Sequence, residues 1–223
     1  MFRKAITAWL VCILMSSAGP LQARSPRHHS TEPPPAQTAA GFDYYLLTLS
    51  WSPTYCQTHG DDVHQCGSRG FGFVLHGLWP QYDGGGYPQE CSAARLTPAA
   101  RALAESIFPN PRLAAHEWQK HGTCSGLDDL GYFKAADRAR RGVAVPGSFD
   151  RPVRAFSTTP SSIVAEFTAA NPGMPAAAVV VACSGAELAE VRVCLDRNLA
   201  PRACGRGIKS HCRAPEVRVP AVR

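Results

Sequence analysis

The 223-residue sequence has no Cys-x-x-Cys pair, no His-Glu-x-x-His run, no Asn-x-Ser/Thr acceptor, and no apolar stretch of membrane-spanning length in its body. Structural zinc sites usually take their ligands in Cys-x-x-Cys pairs, so nine cysteines without one argue against such a site. Asn171 precedes proline, and Asn110 and Asn198 lack the following hydroxyl residue, so N-glycosylation is not expected. A spanning helix needs about 20 apolar residues, which the body of the chain does not offer. Charged residues are also sparse, at 18% against 45% hydrophobic, a globular rather than a disordered composition. The length suits one domain with a real core.

Among the features present, the first is a leader. Arg3 and Lys4 precede a mostly apolar run over Ala5–Met15, and the small residues Ser16, Ser17 and Ala18 follow. The run is too short for a membrane anchor and reads as a secretory signal over residues 1–23, cut after Ala18 or Ala23. Residues 24–40 are rich in Pro, Ser and Thr and read as a disordered linker, with His28 and His29 solvated in it. The folded domain is expected over residues 41–223, secreted or periplasmic and free of the membrane once mature. Cys12 falls in the leader; Cys56, Cys66, Cys91, Cys124, Cys183, Cys194, Cys204 and Cys212 remain. An even number in an exported chain points to disulfides, but spacing alone does not choose among the possible pairings. Without residues 1–40 the chain keeps 19 basic and 16 acidic residues, so the formal charge falls from +6 to +3. This mild excess suits a polyanionic partner without demanding one.

Strands are expected over 42–50, 71–75, 177–182, 187–195 and 217–219, and helices over 97–107, 114–121, 130–140 and 161–170. Thr97 caps the first helix with Pro98 at its first position, and Gly122 ends the second. There is no regular βαβ rhythm, so the fold class is α+β. Arg138, Arg140 and Arg141 read as a solvated helix face, and Phe149 and Phe156 as packing residues.

Two segments carry chemistry. In Phe73-Val-Leu-His76-Gly77-Leu78-Trp79-Pro80 a histidine stands at the expected end of an apolar strand, where Gly77 would let substrate or backbone approach closely. In His116-Glu117-Trp118-Gln119-Lys120-His121-Gly122 four ionisable groups fall on a short helix, with His116 and Lys120 on one face and Glu117 and His121 on the next. The two histidines are five residues apart, about 140° out of register on a helix, which excludes the zinc-protease geometry. Three histidines, a glutamate and a lysine suit RNA cleavage through the 2′-hydroxyl. One neutral imidazole removes the 2′ proton, one imidazolium protonates the departing 5′ oxygen, and cations such as Lys120 and His116 steady the charge on the phosphate. The nucleophile belongs to the substrate, so no metal or cofactor is required.

At these residues the chain resembles the T-two family of acid ribonucleases, which includes the plant self-incompatibility ribonucleases. FVLHGLWP and HEWQKHGTC look like its two active-site segments, and the likeness runs from Phe42 to Pro220, including Cys183-x10-Cys194-Leu195-Asp196. It implies an antiparallel sheet with several helices and a monomer acting on single-stranded RNA. By the same resemblance His121 is the general base and His76 the general acid, with the roles reversed when the 2′,3′-cyclic phosphate is hydrolysed. His116 contacts the phosphate, Glu117 and Lys120 support the transition state, Trp79 stacks on a base, and Tyr87 joins the base pocket. The resemblance also implies the bridges Cys56–Cys66, Cys91–Cys124, Cys183–Cys212 and Cys194–Cys204. Fungal members carry Asp after HGLWP; here Gln81 stands there, so weak base selectivity is expected.

His121 at a helix C-terminus beside Glu117 is expected to favour its charged form, giving a bell-shaped pH profile with an acidic to neutral optimum. The competing readings are a non-catalytic exported binding protein on the same fold, and a disulfide-rich protein whose motifs are coincidental. The last would bury apolar surface around His116–His121 instead of opening a cleft.

Overall fold

Side chains alternate along the first strand: Tyr45, Leu47, Leu49 and Trp51 are buried in the main core, while Tyr44, Leu46, Thr48 and Ser50 occupy the opposite face. The computed structural model describes residues 41–223, so the expected signal peptide and linker lie outside the described residues. The elements run β1 (Tyr44–Trp51), α1 (Ser52–Tyr55), α2 (Val63–Cys66), β2 (Phe73–Gln81), α3 (Pro98–Ile107), α4 (Pro111–Lys120), α5 (Asp129–Gly142), β3 (Phe156–Thr158), α6 (Pro160–Ala170), β4 (Val179–Ser184), β5 (Glu187–Leu195) and β6 (Val217–Val219). This is the α+β architecture expected from the sequence.

The strands form one six-stranded sheet in the order β2-β1-β5-β6-β3, with β4 also pairing β5. The central strands β2, β1, β5 and β4 pair antiparallel, as expected, and the sheet is mixed at one place, where β5 and β6 run parallel with Glu187 facing Arg218. The chain between Leu195 and Val217 is long enough for the crossover that parallel neighbours need. The other pairings are antiparallel.

Helix starts follow their caps. Thr97 accepts from the Ala100 amide, Asn110 from Arg112, Asp128 from Gly131 and Thr159 from Ser162. Proline occupies the first turn of α3, α4 and α6. The Asn110-Pro111 signal starts α4 nearly a turn before the expected Ala114. Helices α1 and α2 and strand β3 were not expected; each is four residues or fewer, too short to show a period.

The core lies between the helices and one face of the sheet. It joins Leu47, Leu49, Leu75, Leu78, Phe133, Phe149, Phe167, Val191 and Val193. Phe156 packs 5.7 Å from Phe149, as packing residues should. Arg138 and Arg141 are exposed on α5, and Arg141 pairs with Asp137 at 2.9 Å. A smaller cluster on the other face of the sheet holds Tyr44, Leu46 and Cys194 with Trp79 against it. Disulfides join Cys56–Cys66, Cys91–Cys124, Cys183–Cys212 and Cys194–Cys204. Among the described residues no helix is long and apolar enough to cross a membrane.

Candidate active site

Strand β2 is longer than its apolar run suggested and carries His76 in its middle, not at its end. Pairing with β1 slips there. Leu75 faces Leu49 and Gly77 faces Thr48, which leaves His76 without a partner in the register. This bulge resets the alternation, so Leu75 and Leu78 both enter the core although three residues apart. His76 and Trp79 are thereby turned to the opposite face of the sheet. Across β1, Ser50 faces Glu190 and Thr48 faces Arg192 on β5, so these side chains share that face.

Gly77 fits for a reason other than substrate approach. A Cβ there would collide with the Glu117 carboxyl and the Trp79 indole nitrogen, which occupy its space. Helix α4 brings Glu117 to this point. Trp118 anchors the helix in the core and donates through Nε1 to the Ala94 carbonyl at 2.7 Å. Glu117 is 1% exposed and accepts from Trp79 Nε1 at 2.5 Å. His121 is the C-cap, its amide donating to the Glu117 carbonyl at 3.0 Å. Gly122 follows because a Cβ would strike the Trp118 and Tyr132 rings.

The two segments thus converge. Trp79 lies between the histidine rings, stacked on His121 at 5.1 Å and edge-on to His76 at 5.2 Å. The exposed Tyr87 ring sits 5.5 Å from His121. His116 is exposed and shares with His76 a hollow of about 320 Å³, whose walls include Asp62, Asn110 and Arg112. This opening is what the coincidental-motif reading lacks. Lys120 is half-buried and acts on both Glu117 and His121 through its charge. Gln81 is buried, its amide donating to the Pro80 carbonyl at 2.9 Å.

Sequence reasoning missed three residues. Nδ1 of His76 donates to Glu190 Oε1 at 2.9 Å, and Ser50 Oγ lies 3.0 Å from the same nitrogen. Arg192 grips the other Glu190 oxygen through Nε and Nη2 at 2.8 and 2.6 Å. Glu190 and Arg192 were visible only as the polar positions of an alternating strand; nothing local linked them to His76.

The electrostatics of the two histidines oppose each other. Burial pushes His121 down to about 3, helped by the positive charges of Lys120, His116 and His76. This overturns the expectation that the helix end and Glu117 would favour its charged form. Glu117 is itself pushed up to about 7 by burial, against the pull of His76, the Trp79 hydrogen bond and Lys120. Burial would lower His76 too, but the hydrogen bond to Glu190 and the charges of Glu190 and Glu117 outweigh it, so His76 is raised. Burial would raise Glu190, yet its hydrogen bond to His76 and the Arg192 charge bring it to about 2. Among the described residues no three His, Cys, Asp or Glu side chains form a group that could hold a metal ion.

Comparison with known proteins extends the likeness. A ribonuclease of Aeromonas hydrophila is 45% identical over 122 residues, covering 55% of this chain and 56% of that protein. Ribonuclease DdI of Dictyostelium discoideum is 27% identical across 87% of this chain and 88% of its own. The chain thus spans about half the length of the Aeromonas relative. Among solved structures, trichomaglin, described as a novel S-like ribonuclease, superposes with a TM-score of 0.66 over 82% of this chain and all of its own, at 20% identity. RNase MC1 from bitter gourd seeds gives 0.61 over 79% of this chain and 99% of its own, at 21% identity. At such identities these two speak for the fold alone. The Ribonuclease T2 family profile matches residues 42–204, a span that contains both histidine segments and most of the sheet, and this chain belongs to that family.

Proposed function

We propose that this protein is an exported, metal-independent endoribonuclease that cuts single-stranded RNA with little base selectivity, acting as a monomer outside the cytoplasm. The observation that carries this reading is the pair of histidines held in opposed states around one indole: His121 kept neutral by burial, and His76 kept charged by carboxylates. In the first step the substrate 2′-oxygen attacks phosphorus and its proton passes to His121. The bond from phosphorus to the 5′ oxygen breaks, and that oxygen takes a proton from His76. The product is a 2′,3′-cyclic phosphate. In the second step water attacks the phosphorus of the cyclic ester and loses a proton to His76, now neutral, while the bond from phosphorus to the 2′ oxygen breaks and that oxygen takes the proton from His121, leaving a 3′-phosphate.

A phosphodiester bound beside His121 brings negative charge that raises its affinity for the proton, so a base this suppressed in the free protein becomes competent with substrate. His116 and Lys120 act on the charged oxygens. Protonated Glu117 can donate a hydrogen bond, and it holds Trp79 between the histidines. The indole is so engaged that Trp79 serves to position them; the exposed Tyr87 ring is the better platform for a base. Four disulfides suit an oxidising compartment.

The test is cleavage of single-stranded RNA by the oxidised protein at pH 5–7 in excess EDTA, with DNA as control. Cyclic-phosphate ends, intact DNA and loss of activity in both His76→Ala and His121→Ala are expected. No RNA cleavage by the wild type sinks the enzyme reading and leaves a binding protein on the same fold.

A further inference from the structure

Ser50, His76, Glu190 and Arg192 stand side by side on three neighbouring strands, on the face of the sheet turned away from the main core. The contacts have a direction. Arg192 holds one Glu190 oxygen through two nitrogens, which fixes the carboxylate plane and leaves the other oxygen aimed at His76 Nδ1. Ser50 Oγ donates to that second oxygen at 3.4 Å and closes the corner. A half-buried carboxylate gripped on one side by arginine and on the other by imidazole cannot rotate freely.

We propose that Glu190, clamped by Arg192, is the positioning residue of His76, fixing its tautomer and ring orientation and holding its proton for delivery from Nε2. The inference rests on the acid role given to His76 above. With Nδ1–H committed to Glu190, neutral His76 has its lone pair on Nε2, and the protonated ring carries its transferable proton there. Both steps of the reaction need that arrangement, because His76 gives a proton in the first and takes one in the second. A third group that orients a catalytic imidazole through its far nitrogen is a general device.

His76 also meets other charges. Glu117 Oε1 lies 3.9 Å from Nε2, Asp62, Arg112 and His116 line the same hollow, Lys120 and His121 lie beyond Glu117, and Arg192 opposes Glu190. Among the carboxylates of the described residues, only Glu190 is hydrogen-bonded to the ring. It also stays ionised across the working range.

The test pairs kinetics with the NMR titration of His76 in wild type, Glu190→Gln and Glu190→Asp. Gln keeps the shape and loses the charge. The His76 midpoint should drop by about 1 unit or more, as loss of a contacting opposite charge does. The alkaline limb of kcat should move down with it, and kcat should fall about tenfold or more with KM little changed. Asp keeps the charge but withdraws the oxygen by a methylene, so kcat should fall while the limb moves less. If the Gln variant does not fold, the Asp variant decides: unchanged kcat and an unchanged His76 titration overturn the proposal. In a folded Gln variant, a His76 midpoint and alkaline limb equal to wild type overturn it too. Failure of the wild type to cut RNA refutes the ribonuclease reading instead, and the titration still decides whether Glu190 holds His76.

Discussion

His76 and His121 pack against the same Trp79 ring at nearly equal distances, 5.2 and 5.1 Å, yet their surroundings drive them to opposite protonation states. His76 is met at one nitrogen by Glu190 and approached at the other by Glu117, whereas His121 is buried with Nδ1 unpaired and positive groups as its neighbours. An acid and a base made from one residue type need this kind of separation.

The separation fixes the shape of the pH profile. His121 stays neutral until the pH approaches about 3, and His76, raised by its carboxylate partners, holds its proton to higher pH than an ordinary imidazole. For the free enzyme, kcat/KM should form a broad bell on the acidic side of neutrality, its alkaline limb set by His76 and its acid limb well below pH 6. Initial rates on a dinucleotide from pH 3 to 9 measure it. An acid limb near pH 6.5 would show that His121 titrates as an ordinary solvated imidazole.

Glu117 should make stability depend on pH in a direction unusual for a carboxylate. Its folded value, about 7, lies above the unfolded value of 4.5, so its contribution is fully present below 4.5 and is lost as pH rises through 7. Glu117→Gln keeps an oxygen for Trp79 Nε1 and removes the ionisation. It should be more stable than wild type at pH 8, by on the order of 2 kcal/mol, and no more stable at pH 4. Thermal melts at the two pH values decide it; equal differences at both would contradict the raised carboxyl.

Gly77→Ala should damage the site from inside the strand. The added methyl overlaps both the Glu117 carboxyl and the Trp79 indole, so both must give way. We expect a loss of about 1–3 kcal/mol in stability, typical of overpacking, together with a larger fall in kcat than in substrate affinity. Denaturant midpoints and steady-state kinetics on the same preparation test this, and a variant with wild-type kcat would place the hydrogen bond outside the mechanism.

Tyr87 and Trp79 should separate kinetically although both touch His121. Tyr87 is exposed, and Tyr87→Ala should raise KM about five-fold or more by removing a base platform worth about 1–3 kcal/mol, with kcat little changed. Trp79→Phe keeps an aromatic between the histidines and loses the donor to Glu117, so its effect should fall on kcat. Kinetics on a short oligonucleotide distinguish the two; the reverse pattern would return the stacking role to Trp79.

Much of this was legible one segment at a time. The caps and prolines set α3 and α6, the alternation of 187–195 set β5, and the spacing in HEWQKHG ruled out a zinc helix while grouping Glu117 with His121. The pKa of His121 was not legible. Along the chain it is a helix-end imidazole four residues from a carboxylate, a setting that favours charge; in space it is 5% exposed, and that carboxyl, pushed up to about 7, is only about half ionised at neutral pH. Burial is a property of what packs from elsewhere, and here it outweighs the local terms.

The sequence by itself determined which groups are available and on which elements: His76 on a strand, His116, Glu117, Lys120 and His121 on and just past one helix, and an even set of cysteines in the folded part. Only the tertiary structure decided their partners. A one-residue bulge at His76 turned it and Trp79 away from the core, and the β1–β5 register brought Glu190 from more than a hundred residues away to its far nitrogen. Local periodicity reveals which face of a strand is polar, but strand order and register decide which polar groups from distant segments meet across it.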